Sequence, residues 1–270
     1  MFGGYTVLSH IQMKGKHMSK IIVETCCGSA DDCIQSEISG ADRVELNSAL
    51  FLGGLTPSVG ELETAVKSTS KIKIVTMVRP RSGGFCYTEK EFDTMLFDAE
   101  NLLANGSDGI VFGFLHSDGT VDLDRCRKMM EIIGGKDAVF HRAFDVVPDW
   151  RREMEALIDL GVRRILTSGQ RKNALEGKET IREMIEYAAG RIEILPGAGI
   201  RDYNVRELID FTGCSQVHMS KRKKCDDASV CANKEICFGN PAAPEEFSFE
   251  MIDSEGLKKV IIDLNSSNDS

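Results

Sequence analysis

Short runs of apolar, often β-branched residues alternate along the chain with longer amphipathic stretches, at intervals of roughly 22–36 residues. This alternation predicts repeated β-strand and α-helix pairs. The predicted strands are Lys20–Thr25, Arg43–Leu46, Ile72–Val78, Gly109–Phe112, Ala138–His141, Arg164–Thr167, Ile192–Leu195 and Gln216–Met219.

The intervening stretches have the apolar spacing of helices that bury one face. The predicted helices are Ala30–Ser39, Ser58–Ser68, Glu89–Asn105, Leu123–Ile133, Pro148–Leu160, Asn173–Ala189, Val205–Phe211 and Glu255–Asn265. Glycines follow several of them, where a positive φ favours glycine: Gly40, Gly106, Gly161, Gly190 and Gly213. These signals support the helix ends.

Eight strand and helix pairs without a Pro/Gly-rich linker predict one α/β domain, a single (β/α)8 TIM barrel, rather than an open doubly wound sheet. We place the barrel at residues 20–265. Residues 1–19 are predicted to be a mobile N-terminal extension, and residues 266–270 a disordered tail. A Lys-, Cys- and Asp-rich insert at about 221–244 is predicted to be a flexible loop with exposed thiols.

Composition narrows the class of protein. The 270 residues carry a formal net charge of −9, which opposes a nucleic-acid-binding function. No run of residues is apolar enough to span a bilayer, and no secretory signal is evident, so we expect no membrane partner. The nine cysteines are an odd number without a disulfide-framework spacing, which indicates reduced thiols and a cytoplasmic protein.

Polar or glycine-rich groups follow seven of the eight predicted strands. In a parallel barrel the carboxyl ends of all strands meet at one mouth, where functional groups collect. The candidate residues at these ends are Glu24, Cys26, Glu45, Arg79, His141, Arg142, Asp145, Ser168, Gly197, Gly199 and His218. Each alone could serve a structural ion pair, but together they predict a functional site.

One interpretation of this ring is an enzyme site. Glu24 or Glu45 would move a proton, while His141, oriented by Asp145, would act as general acid or base. The residues that would bind an anionic ligand are Arg79, Arg142, Ser168, Gly197, Gly199 and His218. The substrate class would be a small anionic or carbonyl-containing, sugar-like molecule, and the reaction that of a lyase, isomerase or deglycase. No organic cofactor motif is evident.

The other interpretation is a metal site. Thiolates select Cu(I) or zinc, and Cys26 lies at the mouth end of the first strand. Adjacent strand residues point in opposite directions, so Cys26 and Cys27 are not expected to hold one ion together. The insert cysteines, Cys225, Cys231 and Cys237, lack the close pairing of a strong zinc motif.

Several ordered motifs resemble those of the CutC copper homeostasis family. They include Gly40-Ala41-Asp42-Arg43-Val44-Glu45-Leu46, Gly53-Gly54-Leu55-Thr56-Pro57-Ser58, Arg79-Pro80-Arg81-Ser82-Gly83-Gly84, Phe140-His141-Arg142-Ala143-Phe144-Asp145, Leu166-Thr167-Ser168-Gly169 and Pro196-Gly197-Ala198-Gly199-Ile200. The resemblance covers about residues 20–221, nearly the whole predicted barrel.

The resemblance implies a TIM barrel that forms a homo-oligomer, is linked to copper tolerance or Cu(I) binding, and is found in the cytoplasm and, for animal members, the nucleus. It also implies ligand cysteines after the strand-one Glu and after the strand-two Glu-Leu pair. Cys26 matches the first of these positions, whereas Asn47 stands at the second, where a neutral amide is a poor Cu(I) ligand. Copper ion and a small anionic ligand therefore both remain candidate partners, and a purely structural or interaction protein is a third hypothesis.

Overall fold

The computed structural model describes residues 20–233, 235–236, 238–239 and 246–266. The predicted N-terminal extension 1–19, Cys237 and residues 267–270 of the predicted tail lie outside the described residues. Ser266 was predicted to belong to that tail, but it is instead the last residue of the final helix.

Eight parallel strands form one sheet in the order β7-β6-β5-β4-β3-β2-β1-β8. The strands are β1 Ile22–Cys27, β2 Arg43–Leu46, β3 Lys73–Met77, β4 Gly109–Phe112, β5 Asp137–Phe140, β6 Arg164–Thr167, β7 Glu193–Pro196 and β8 Gln216–Met219. The two ends of the sheet, β7 and β8, contact each other, so the barrel is nearly closed. The predicted TIM barrel is confirmed.

The helices α1–α7 connect successive strands, and α8 closes the described chain. They are α1 Ala30–Ser39, α2 Val59–Ser68, α3 Glu89–Ala104, α4 Leu123–Ile133, α5 Trp150–Asp159, α6 Lys178–Ala188, α7 Val205–Thr212 and α8 Ser254–Ser266. Thr88 and Glu91 form a reciprocal capping box at α3, which satisfies backbone donors that the helix leaves free. The five predicted C-terminal glycines all have positive φ.

Helix α6 begins five residues later than its predicted start at Asn173. The Asn173 side chain accepts a hydrogen bond from the Glu176 backbone N–H at 3.0 Å, which stabilises a turn in place of a helical turn. Gly177 then packs so closely on Ser168 that a Cβ there would lie 1.9 Å from the Ser168 carbonyl oxygen. The amphipathic pattern therefore predicted a helix that begins too early and is too long.

The insert at 221–244 was predicted to be a flexible loop, and this prediction is wrong for its first residues. Strand β9 (Arg222–Asp226) pairs antiparallel with β10 (Ser248–Ile252). The ribbon is tied to the barrel by the buried carboxylate of Asp32, which accepts from Arg222 Nη2 and from the Ile252 backbone N–H, both at 2.8 Å. Cys225 is half-buried and Cys231 exposed.

Side-chain alternation along the strands divides the core. Outward-facing residues such as Val23, Val44 and Leu46 pack with the helices in one large apolar cluster. A second, smaller cluster fills the barrel interior with residues of β3–β7, namely Val75, Met77, Val111, Val139, Leu166 and Leu195. Among the described residues, no helix combines the length and apolar composition required to cross a membrane.

Candidate functional site

One cavity of about 1260 Å³ opens at the carboxyl ends of the strands. It is far larger than a metal ion requires and exceeds the ~300–1,000 Å³ typical of organic-ligand pockets. Seven of the sequence-predicted residues line it: Cys26, Glu45, Arg79, His141, Arg142, Gly199 and His218. The structure therefore brings most of the predicted ring together, with two different arrangements on its two sides.

On the β8–β1–β2 side, three side chains converge. The Cys26 thiol, a Glu45 carboxylate oxygen and a His218 ring nitrogen all lie within 4.8 Å of one another. The three strands are neighbours, and the ladder sets Cys26 opposite Glu45. Because inward and outward side chains alternate along a strand, all three reach the barrel interior. This triad is the one group of potential metal ligands found among the described residues.

Glu24 lies beneath the triad and holds His218. Its Oε1 is 2.8 Å from His218 Nδ1, and its Oε2 accepts a hydrogen bond from Arg43 Nε. Burial alone would raise the pKa of Glu24, but the Arg43 guanidinium and the hydrogen bond with His218 lower it to about 2. Glu24 is therefore a carboxylate at neutral pH, and it leaves Nε2 of His218 as the ring nitrogen available to the triad.

His218 is a positively charged imidazolium in this arrangement. Burial by itself lowers the pKa of His218, but the Glu45 carboxylate and hydrogen bonds with Cys26 and Glu24 raise it well above its usual value. A metal ion at the triad would therefore have to displace a proton of His218.

Glu45 is held by Asn47. Asn47 Nδ2 donates to Glu45 Oε1 at 2.9 Å and lies 3.8 Å from Cys26 Sγ. The other oxygen, Glu45 Oε2, is buried without a partner among the described residues. Burial raises the pKa of Glu45, opposed by the nearby His218 charge. A buried oxygen without a hydrogen-bond partner requires an explanation, and a cation bound beside the thiol and the imidazole would supply one.

Cys27 points away from this triad, as alternation predicted. It packs in the outer core with Cys33, and its sulfur is 3.4 Å from Ser36 Oγ of α1. Burial, together with the hydrogen bond to Cys33, raises the pKa of Cys27 well above its usual value. Neither Cys27 nor Cys33 lines the cavity, so a second sulfur ligand from either would need a rearrangement of β1 and α1.

On the β5–β6 side, His141 is buried beside the Phe85 ring, with the ring centroids 4.8 Å apart. Its Nδ1 accepts the Ala143 backbone N–H at 3.1 Å, so the neutral ring carries its proton on Nε2. Burial and the Arg79 charge lower the pKa of His141 to about 3. Nε2 is buried without a partner among the described residues.

The enzyme interpretation expected Asp145 to orient His141, but the two side chains share no hydrogen bond among the described residues. Asp145 binds the end of β6 instead, accepting from Thr167 Oγ1 at 2.5 Å and from the Ser168 backbone N–H at 2.9 Å. It also accepts from Arg142 Nε at 2.8 Å, while Arg142 Nη2 donates to Ser168 Oγ at 2.8 Å. Asp145 and Ser168 therefore position Arg142 at the cavity wall.

Arg79 and Gly197 have structural partners that the sequence did not indicate. The Arg79 terminal nitrogens donate to the carbonyl oxygens of Leu52, Gly53, Gly54 and Gly83 at 2.8–3.2 Å. The Gly197 N–H donates to the Thr167 carbonyl at 2.9 Å, and a Cβ on Gly197 would lie 2.6 Å from Leu166 Cδ1. Arg79 thus orders the β2 and β3 loops, and Gly197 permits close packing of strands.

Three site residues were missed by the sequence reasoning. Arg43 and Gln216 are hydrogen-bonded at 3.0 Å beneath the triad, and Arg222 of the ribbon lines the cavity. Arg43 and Gln216 each precede a predicted residue, Glu45 or His218, by two positions. This spacing places them on the same strand face, a signal that was available. Arg222 had none, because it lies in the insert.

Residues 21–223 match the family model described as the CutC family. A family protein CutC from Treponema denticola is 47% identical over 247 residues, covering 92% of this chain and 100% of that protein. A copper homeostasis protein cutC homolog from Homo sapiens is 38% identical over 232 residues, covering 86% of this chain and 85% of that protein. A CutC crystal structure from Streptococcus agalactiae has a TM-score of 0.70 and 33% identity, covering 74% of this chain and 98% of that one.

Proposed function

Because the chain belongs to the CutC family, we propose that it acts in copper homeostasis and binds Cu(I) through Cys26 and His218. The observation that carries this proposal is the convergence of the Cys26 thiol, the Glu45 carboxylate and the His218 imidazole within 4.8 Å. Thiolate sulfur and imidazole nitrogen are both copper ligands, and a thiolate favours Cu(I).

The residues around the triad support the same role. A metal-binding histidine is usually oriented by a carboxylate on its other ring nitrogen, and Glu24 occupies that place on His218. Glu45 is a hard oxygen donor and therefore a weak Cu(I) ligand, but its negative charge offsets the charge of a bound cation. Copper binding requires a neutral imidazole, so His218 loses a proton as the ion binds.

The proposal is tested by titrating Cu(I), under anaerobic reducing conditions, into the protein in competition with a chromophoric Cu(I) chelator. We expect Cys26→Ser and His218→Gln to weaken Cu(I) binding by at least ~10-fold, since removing a residue that only supports a metal ligand already costs ~10–100-fold. Cys27→Ser is the matched control: the neighbouring thiol is buried in the outer core, and its loss should leave the affinity unchanged. Equal affinity of wild type and Cys26→Ser would contradict the proposal.

Asn47 allows a gain-of-function arm of the same titration. Its amide nitrogen is 3.8 Å from Cys26 Sγ, so Asn47→Cys would set a second thiol beside the first. A second thiolate should tighten Cu(I) binding relative to wild type, since soft ligands select this ion. The same substitution in a Cys26→Ser background should give no such gain.

Compartment and assembly are part of the proposal. All the cysteines within the described residues are free thiols, which supports a reducing compartment, the cytoplasm, with the nucleus as a second location. We further propose a homo-oligomer, on the basis of the family resemblance, to be measured by light scattering after size-exclusion chromatography. The names of the relatives favour copper homeostasis over the enzyme interpretation.

A further inference from the structure

The β5–β6 side of the cavity contains polar groups that copper binding does not use. His141 and Arg142 both line the cavity, and neither belongs to the triad of Cys26, Glu45 and His218. The cavity volume of about 1260 Å³ leaves room for an organic molecule beside a single metal ion.

His141 Nε2 is a buried hydrogen-bond donor without an acceptor among the described residues. The residue is 3% exposed. Its tautomer is fixed, because Nδ1 accepts the Ala143 backbone N–H. Its ring also fits only because residue 113 is glycine, where a Cβ would lie 2.5 Å from His141 Cε1. Buried polar groups without partners are rare in native proteins and require an explanation.

Arg142 offers a second, prepositioned donor group. Asp145 accepts from its Nε and Ser168 from its Nη2, both at 2.8 Å, which leaves Nη1 without an assigned partner among the described residues. The Arg142 side chain remains 41% exposed. Because Asp145 and Ser168 fix the guanidinium, little side-chain entropy is lost when it binds a ligand.

The local charge indicates the class of ligand. Arg142 is neutralised by Asp145, but Arg79, itself 7% exposed, donates only to carbonyl oxygens and has no carboxylate within ion-pair distance among the described residues. One positive charge is therefore uncompensated beside His141. A single negative charge would balance Arg79, whereas a phosphate dianion would also need a cation from another part of the cavity, such as Arg201.

We propose that the β5–β6 side of the cavity binds a small organic monocarboxylate, which accepts hydrogen bonds from His141 Nε2–H and from the Arg142 guanidinium. Met77, Phe85 and Leu166 provide an apolar wall for the remainder of the ligand. The site is separate from the copper ligands, so it does not depend on the proposed copper function.

The test uses metal-free protein and three monocarboxylate probes, acetate, glycolate and pyruvate, with inorganic phosphate at pH 8 as the dianion. Binding is followed by calorimetry and by the nuclear magnetic resonance signal of His141 Nε2–H. We expect saturable binding of at least one monocarboxylate, a shift of that signal, and phosphate binding at least tenfold weaker.

Variants locate the site. Asparagine at position 141 keeps an acceptor near Nδ1 but removes the Nε2–H donor, so His141→Asn should weaken carboxylate binding at least tenfold, as should Arg142→Gln. Arg201→Gln is the matched control, because it removes another positive charge from the same cavity without touching the proposed contacts; we expect less than a threefold change. A circular dichroism spectrum and a denaturation midpoint equal to those of the wild type verify that each variant is folded.

Two results would overturn the proposal. The first is the absence of saturable binding for all three monocarboxylates. The second is equal weakening by Arg142→Gln and Arg201→Gln with no effect of His141→Asn, which would indicate diffuse attraction by positive charge. Loss of Cu(I) binding in Cys26→Ser, with carboxylate binding unchanged, bears on the copper proposal and not on the carboxylate site.

Discussion

Two buried histidines lie at strand ends on different sides of the same cavity, and their pKa values are shifted in opposite directions. His218 of β8 lies between the carboxylates of Glu24 and Glu45, which raise its pKa. His141, directly after β5, is packed on Phe85 near the Arg79 guanidinium, and burial and that charge lower its pKa to about 3. The same residue type is thus a cation on one side and a fixed neutral donor on the other.

The difference follows from what each strand face provides. Strands β8, β1 and β2 point polar side chains into the barrel, whereas β3–β7 contribute the apolar interior cluster. Among the described residues, no hydrogen bond joins the Glu24–Glu45–His218 group to the His141–Arg142–Asp145 group. We therefore expect substitutions on one side to leave the other side's ligand binding intact.

The largest expected effect is loss of the Glu24 carboxylate. Glu24→Gln leaves the buried Arg43 guanidinium without its countercharge, which should reduce the free energy of unfolding by about 3–5 kcal/mol. Chemical denaturation measures this change. In the same variant the pKa of His218, followed by nuclear magnetic resonance, should fall.

Glu63→Gln is the control for that experiment. Glu63 pairs with Lys67 on the surface of α2, where an i,i+4 pair contributes less than about 0.5 kcal/mol. Similar losses of stability in the two variants would show that the buried Glu24–Arg43 pair stabilises the fold no more than a surface pair does.

The next effect concerns only the β5–β6 side. In Gly113→Ala the new Cβ would lie 2.5 Å from His141 Cε1, so the imidazole must move. We expect a cost of about 1–3 kcal/mol in the free energy of unfolding, typical of overpacking, and weaker carboxylate binding with unchanged Cu(I) affinity. Gly84→Ala, whose Cβ would have no neighbour within 4 Å, should change none of these. A parallel loss of Cu(I) binding in Gly113→Ala would show that the two sides are coupled.

The smallest effect near neutral pH is a pH dependence of stability. The folded-state pKa of His141 is lowered from 6.5 to about 3, so between these values the unfolded chain binds a proton that the folded chain does not. Stability is therefore fully present above pH 6.5 and is lost as the pH falls, by about 1.4 kcal/mol per unit from this group. Urea unfolding of wild type and His141→Asn at pH 7.5, 6 and 5 should show their difference shrinking. A constant difference would contradict the assigned environment, in which Arg79 is the neighbouring charge.

Much of the fold could be predicted because its signals are local. Strand β2, for example, was predicted with its observed bounds, Arg43–Leu46, since a short strand-like run after the glycine that ends α1 is a local pattern. Errors arose where contacts distant in sequence decide the structure. The Asn173 turn packs against the loop after β7, where the Ala198 carbonyl accepts from the Ala174 N–H at 3.0 Å, and the β9–β10 ribbon depends on Asp32, about 190 residues earlier in the chain.

The candidate site was predicted as a set of residues but not as a set of partnerships. Position at a strand end placed Cys26, Glu45 and His218 at the mouth, and alternation separated Cys26 from Cys27. Neither property could indicate that Asp145 would bind Arg142 and β6 instead of His141, or that carbonyl oxygens would occupy the Arg79 guanidinium. The hydrogen-bond partners of these side chains come from different strands, and the distances between them are set only when the barrel forms.

The sequence by itself determined the eight strand and helix pairs, the family and the residue types at the mouth, because periodicity and motifs are properties of neighbouring positions. The tertiary structure decided which histidine is charged and which is neutral. A pKa depends on burial and on charges within a few ångströms, and for His218 those charges come from Glu24 and Glu45 on two other strands.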